Sequence, residues 1–233
     1  MLFRSLKAVD MFRAVADGRI KALWIMATNP VVSMPDAGKI EDSIRNCPFV
    51  VVSDVIAKTD TVRHARVRLP AAAWGEKSGT VTNSERRISR QRSFLPLPGE
   101  ARPDWWIVCE VAKHMGFGAA FDYKSTSEIF AEHAALSGFE NNGTRDFDIG
   151  QLANISETEF DRLEPFQWPR PVGEESSIRL FTDGKFFTRD GKARFTSLDL
   201  APRRTTPAAY PMTLNTGRVR DHWHTMTRTA KSQ

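Results

Sequence analysis

The chain has 233 residues, 41% hydrophobic and 26% charged, an ordinary globular composition with room for one large domain or one and a half small ones. Its net charge of +5 favours anionic ligands without singling out nucleic acid, and its apolar runs are strand-sized, too short to span a membrane. Two cysteines, Cys47 and Cys109, fall in no metal-ligand or redox spacing and no signal peptide precedes the first helix, so the expectation is no metal site in this chain and a reducing, cytoplasmic compartment.

Ala8, Met11, Phe12 and Val15 recur at helical spacing, and Gly18 closes that helix. Residues 22–26 read as a buried strand, stopped where Pro30 ends the pairing. A second helix opens at Pro35 and Asp36, with Ile40 and Ile44 on one face. Residues 49–53 are a second buried strand, ending at Asp54. A helical stretch near 61–65 leads to a third strand, 67–69, stopped by Pro70. Arg66 and Arg68 flank Val67 on one face, which must reach solvent or an anion. This alternation predicts an α/β fold, with a parallel sheet covered by helices on both faces. Ligands of such folds sit beyond the carboxyl ends of the strands. Those ends carry Thr28-Asn29, Ser53-Asp54 and the loop after Pro70.

Past Trp74 the character changes. Residues 79–83 and 88–92 are polar and strand-like, joined by Ser84-Glu-Arg-Arg87. Pro96, Pro98, Gly99 and Pro103 mark a loop. Asp104 then caps a helix carrying Trp105, Val108, Ala112 and Met115, with Gly116 at its end. Ser125-Thr-Ser-Glu128 has the spacing of a capping box. Residues 141–170 read as an irregular, ordered connection. Segments 178–181, 185–188 and 193–195 are expected to form short β-hairpins about Asp-Gly turns at 182–184 and 189–191. Residues 202–210 read as a linker, and 211–215 as the first strand of a further domain.

Several groups could carry chemistry. Asn29 can donate and accept, and Asp54 can accept from two adjacent N–H groups, such as those on one edge of guanine. Both also suit turns and caps, and the frequency of Asn and Asp in turns favours that reading on spacing alone. Glu76-Lys77 before Gly79 is either a phosphate contact or a solvated pair. Arg86, Arg87, Arg90 and Arg92 are either the charged face of a hairpin or an anion site, and base rates favour the first. His222 and His224 would share a strand face beside Trp223. With no carboxylate or thiol at matching spacing, they suit a phosphate, a heterocycle or simple packing better than a metal. No catalytic Ser/His/Asp or Cys/His set assembles, and no G-x-G-x-x-G is present.

Residues 74–92, Trp-Gly-Glu-Lys-Ser-Gly-Thr-Val-Thr-Asn-Ser-Glu-Arg-Arg-Ile-Ser-Arg-Gln-Arg, resemble the molybdopterin oxidoreductases, nearest to their assimilatory nitrate-reducing branch. Ile25-Met-Ala-Thr-Asn-Pro30, Pro98-Gly-Glu-Ala-Arg-Pro-Asp-Trp-Trp106, Gln167-Trp-Pro169, Asp190-Gly-Lys-Ala-Arg-Phe195 and Thr216-Gly-Arg-Val-Arg-Asp-His-Trp-His-Thr225 fit in the same order. The resemblance implies a Rossmann-like third domain over residues 1–120 and a partial return into the second domain, with β-hairpins, over 121–205. Residues 206–233 would begin the C-terminal β-barrel domain that binds the cofactor.

By the same resemblance, Asn29, Ser53, Asp54, Lys77 and Asp104 line the site of one molybdopterin guanine dinucleotide. Thr216, Gly217, Arg218, Val219, His222, Trp223, His224 and Thr225 would contact pterin and pyrophosphate. The complete enzyme would hold molybdenum on two such dinucleotides and take electrons from a donor protein or reductase subunit through an iron–sulfur cluster. It would reduce nitrate to nitrite. Neither Cys47 nor Cys109 falls in a motif for the metal, and the cluster's cysteines are absent, so this chain reads as an internal fragment that is inactive alone. Formate dehydrogenase or periplasmic nitrate reductase activity, and a non-catalytic nucleotide-binding remnant, are the alternatives.

Overall fold

The computed structural model describes residues 5–173, 179–197, 209 and 211–213. The chain divides by its internal contacts into two units, the first comprising 1–52, 58–67 and 195–233, the second 53–57 and 68–194.

The first unit begins with α1 (Ala8–Ala16), whose apolar stripe buries Phe12, Ala14 and Val15. Gly18 takes φ +73° and closes the helix, its N–H donating to the Val15 carbonyl at 3.0 Å. β1 (Ala22–Met26) follows, then the single turn α2 (Pro30–Ser33), which the sequence reading does not foresee. Pro30 does not simply end a strand; it opens a helix, the position where its missing N–H costs nothing. α3 (Ala37–Asn46) buries Ile40 and Ile44, as its spacing predicts. β2 (Phe49–Asp54) and, after a 3-10 turn at Val62–His64, β3 (Val67–Pro70) complete a parallel sheet of order β1-β2-β3. The core joins Phe12, Val15, Leu23, Ile25, Ile44, Val50 and Val52. Arg66 and Arg68 are solvent-exposed, so the face they share reaches water.

The second unit is built on an antiparallel sheet. β4 (Gly79–Thr82) pairs with β5 (Arg87–Gln91) in the register Thr80↔Arg90, Thr82↔Ile88. Asn83 Oδ1 accepts from the N–H groups of Glu85 and Arg87 and so holds the connecting turn. A two-residue strand, β6 (Phe166–Gln167), adds to the other edge of β5. Against this sheet lie α5 (Thr126–Gly138) and α6 (Glu157–Asp161), and Ile88, Phe130, Ala134, Ile149, Phe160 and Phe166 form a second core. Segment 141–170 is therefore more structured than the expected irregular connection. Its order comes from buried polar groups: Asp148 accepts from Asn141 Nδ2 and from the Gly150 N–H, both at 2.8 Å.

Two expected devices differ in detail. Ser125 Oγ accepts from the Glu128 N–H, but the Glu128 carboxylate accepts from Lys124 N–H, one residue outside the predicted capping box. The expected hairpins of 178–195 are not found among the described residues 179–197, where only turns and bends occur. The Asp-Gly turns are there, with Gly184 at φ +70° and Gly191 at φ +68°. Phe181, however, adopts φ +63° and stacks on Phe186 at 4.7 Å, which ends the alternation a strand needs. The proposed first strand of a barrel domain, 211–215, is described only at 211–213, and those residues are not in a strand.

Candidate nucleotide-binding strand ends

Asn29 lies in the first unit, at the end of β1 and start of α2. Its carbonyl accepts from Val32 and Ser33 N–H groups at 3.0 Å, and its side-chain Oδ1 accepts from the Thr61 hydroxyl at 2.6 Å. Thr61 Oγ1 in turn accepts from the Val31 N–H at 3.3 Å. The acceptor half of Asn29 is thus committed internally, and its Nδ2 is the half a ligand can use. Thr61, fully buried, carries no sequence signal for this role. Thr61→Val is expected to lower unfolding free energy by about 1–3 kcal/mol, because it strands both partners. Urea unfolding of the two proteins checks this, and equal midpoints would refute it.

The remaining strand-end residues lie in the second unit. Ser53 is fully buried and shapes the strand end rather than offering its hydroxyl to solvent. Asp54 Oδ1 accepts from the Ile56 N–H at 3.1 Å, and its carbonyl accepts from Ala71 N–H at 3.1 Å. Half of its carboxylate therefore makes the turn anticipated for an Asp, and Oδ2 stays available. Past Pro70 the chain pairs with the residue that leads into the next helix. Arg102 N–H donates to the Pro70 carbonyl and Ala72 N–H to the Arg102 carbonyl. This short ladder fixes the start of α4 (Asp104–Ala112).

Asp104 does not cap α4. It is the first helical residue, Pro103 takes the cap position, and no side chain caps the helix. The reason is a stronger partner: Lys77 Nζ lies 2.5 Å from Asp104 Oδ2. Both side chains retain some exposure, 28% and 29%. The second carboxylate oxygen, Oδ1, is buried and has no hydrogen-bond partner among the described residues. A buried carboxylate oxygen left unmet is costly and calls for a donor. The electrostatics are those of a negative group at a helix N-terminus with one cation attached.

Lys77 is presented by a tight turn at Trp74–Glu76. The Glu76 carboxylate accepts from Ala73 N–H at 2.7 Å. Gln91 Nε2 donates to the Trp74 carbonyl at 2.6 Å, and the Phe94 and Leu95 N–H groups donate to the Gly75 carbonyl. A Cβ on Gly75 would meet the Phe94 ring at 2.7 Å, so the turn admits only glycine without a shift of that ring. Sequence reading finds Lys77 but not Gln91, whose part depends on a hairpin register.

The arginines of the hairpin make contacts within the second unit. Arg86 lies over Trp168 at 5.4 Å and Arg90 over Phe160 at 4.3 Å; Arg92 donates to the Asp161 carbonyl. Arg87 donates to the Pro165 carbonyl at 3.5 Å. Arg90 also pairs with Asp161 at 3.2 Å, and its burial lowers its pKa against that partner's opposite pull. Arg92 remains exposed, as a charged hairpin face expects, while Arg86, Arg87 and Arg90 are half-buried and tie the hairpin to residues 160–168. The cysteines are free thiols, both buried, and burial pushes the Cys109 thiol up. Residues Thr216, Gly217, Arg218, Val219, His222, Trp223, His224 and Thr225 lie outside the described residues. Among the described residues, no helix is long and apolar enough to cross a membrane.

The second unit thus holds one strand end, Asp54, and a lysine–aspartate pair at a helix start. The chain matches the family model for molybdopterin oxidoreductase over residues 2–114. It is 56% identical over 225 residues to a nitrate reductase of Klebsiella oxytoca, covering 96% of this chain and 26% of that protein. It is 34% identical to the assimilatory nitrate reductase catalytic subunit of Bacillus subtilis, covering 98% of this chain and 31% of that one. An F420-dependent formate dehydrogenase 1 subunit alpha of Methanococcus maripaludis is also 34% identical, over 94% of this chain and 31% of its own length. The chain thus spans about a quarter to a third of these relatives. Acetylene hydratase from Pelobacter acetylenicus shares the fold, with a TM-score of 0.55 and 19% identity over 79% of this chain and 23% of its own.

Proposed function

We propose that this chain is part of the catalytic subunit of a molybdenum-dependent nitrate reductase and contributes a surface that binds molybdopterin guanine dinucleotide. The observation that carries the nucleotide assignment is the buried, unmet Oδ1 of Asp104 beside Lys77. A guanine edge offers adjacent N–H donors to such a carboxylate, and a neighbouring ammonium suits a phosphate. Within the second unit Asp54 Oδ2 adds a further acceptor and Ser53 shapes the β2 end; in the first unit, Asn29 Nδ2 is a separate candidate donor. Residues 216–225 would supply contacts to the pterin and pyrophosphate.

Bound there, the cofactor would supply molybdenum redox and oxygen-atom transfer chemistry, while the protein binds and orients it. Nitrate as substrate, a second dinucleotide, an iron–sulfur cluster, an electron-donor protein and a cytoplasmic setting belong to the complete enzyme in this reading. The 56% identity to a nitrate reductase, against 34% to a formate dehydrogenase subunit, favours nitrate over formate.

Isothermal titration of the purified chain with GDP and with ADP tests the nucleotide assignment. GDP is expected to bind saturably and to weaken as salt rises, since the phosphate contacts are screened. ADP should bind about tenfold or more weakly, because adenine presents one acceptor where guanine presents a donor. Equal affinity for both, or no saturable binding, would contradict the assignment.

A further inference from the structure

The Trp74–Glu76 turn immediately precedes the proposed nucleotide-binding Lys77, which leads into β4 of the antiparallel sheet. Its backbone carbonyls are not held by its own helix or strand. They are held by residues at the end of β5: Gln91 through its side chain, Phe94 and Leu95 through their N–H groups. Gln91 is buried and faces the turn from the last position of its strand, opposite Gly79. The hydrogen bond at 2.6 Å is short for an amide donor, and its acceptor lies three residues before Lys77.

We propose that Gln91 is a positioning residue for the dinucleotide site, fixing the Trp74–Glu76 turn so that Lys77 meets Asp104. This rests on the nucleotide reading above, since it assigns Gln91 a part in the same site. Three physical points support it. A buried carboxamide needs its partners, so its rotamer is locked by the Trp74 carbonyl. Gln91 is the side chain that holds the Trp74 carbonyl, while backbone N–H groups of Phe94 and Leu95 hold Gly75; Trp74 itself is 61% exposed and meets Phe94 edge-on at 6.2 Å. Lys77, a long flexible side chain, loses less entropy on binding when its backbone is already fixed.

Two substitutions separate positioning from mere stability. Gln91→Met keeps length and burial but removes the donor. Gln91→Glu keeps the shape and donates only when its carboxyl is protonated. Each protein is titrated with GDP, and amide hydrogen exchange of residues 75–78 is read without nucleotide. Gln91→Met is expected to weaken GDP binding about fivefold and to speed exchange in the turn, with exchange in α5 unchanged. Gln91→Glu should behave like Gln91→Met at neutral pH. Its affinity relative to wild type, compared at each pH, should recover as the pH falls toward the pKa of the new carboxyl. If Gln91→Met fails to fold, that recovery alone decides.

Unchanged affinity and unchanged turn exchange in the variants would overturn the positioning role. Absence of GDP binding by the wild-type chain overturns the nucleotide reading instead, and the exchange contrast then still decides whether Gln91 holds the turn.

Discussion

Replacing Phe160 by Ala is expected to remove about 3–5 kcal/mol of stability from the second unit. Phe160 is 2% exposed, packs on Phe130 with ring centroids 5.2 Å apart, and carries the Arg90 guanidinium 4.3 Å above its ring. Truncation opens a cavity and also removes the aromatic face from a cation whose side chain is only 7% exposed. The two costs add at one site. Phe160→Leu, which keeps most of the apolar volume, should lose about half as much or less. Hydrogen exchange is the suitable readout, because the two units need not unfold together. Protection should fall in α5 and β5 and remain in α1 and α3. Uniform loss across both units would show that they unfold as one.

The second large effect is on binding. Asp104→Ala is expected to weaken GDP about 100-fold or more, the worth of two hydrogen bonds to an ionised acceptor at about 1.5 kcal/mol each. Asp104→Asn should fall between, since an amide can accept one donor but opposes a second. Lys77→Ala should cost less and flatten the salt dependence, because it removes a charge directed at phosphate rather than at base. Titration of the three variants against wild type checks the order. If Asp104→Ala lowers stability and leaves GDP affinity intact, the Lys77–Asp104 pair is a structural ion pair and nothing more.

Much of the first unit was legible from the residues. Phe12 and Val15, then Ile40 and Ile44, recur at helical spacing, and 22–26 and 49–52 are apolar runs bounded by turn residues. Periodicity of that kind reports burial directly. The hairpin about Asn83 was legible from two polar, strand-like segments joined by a short polar connection. β6 was not, because two residues carry no period and their pairing with β5 closes across nearly eighty residues.

The candidate site was legible by residue type and not by role. Asp104 carries the signature of a helix cap, yet a lysine from a distant turn outcompetes the helix for its carboxylate. Asn29 reads as a two-sided polar group, yet Thr61 takes its acceptor side. The basic run at 86–92 reads as surface charge, yet three of its side chains lie against Trp168, Phe160 and the Asp161 carbonyl. Each of these depends on long-range contacts, which a local pattern does not encode. The resemblance in the sequence reached the family itself, which the match over residues 2–114 bears out.

The most direct test of the central claim is a structure of this chain with GDP bound. The account predicts the guanine edge within hydrogen-bonding distance of Asp104, with Oδ1 accepting one of its N–H groups and Lys77 turned toward the phosphates. A nucleotide bound elsewhere, with Asp104 Oδ1 still unmet and Lys77 still paired to Oδ2, would contradict it.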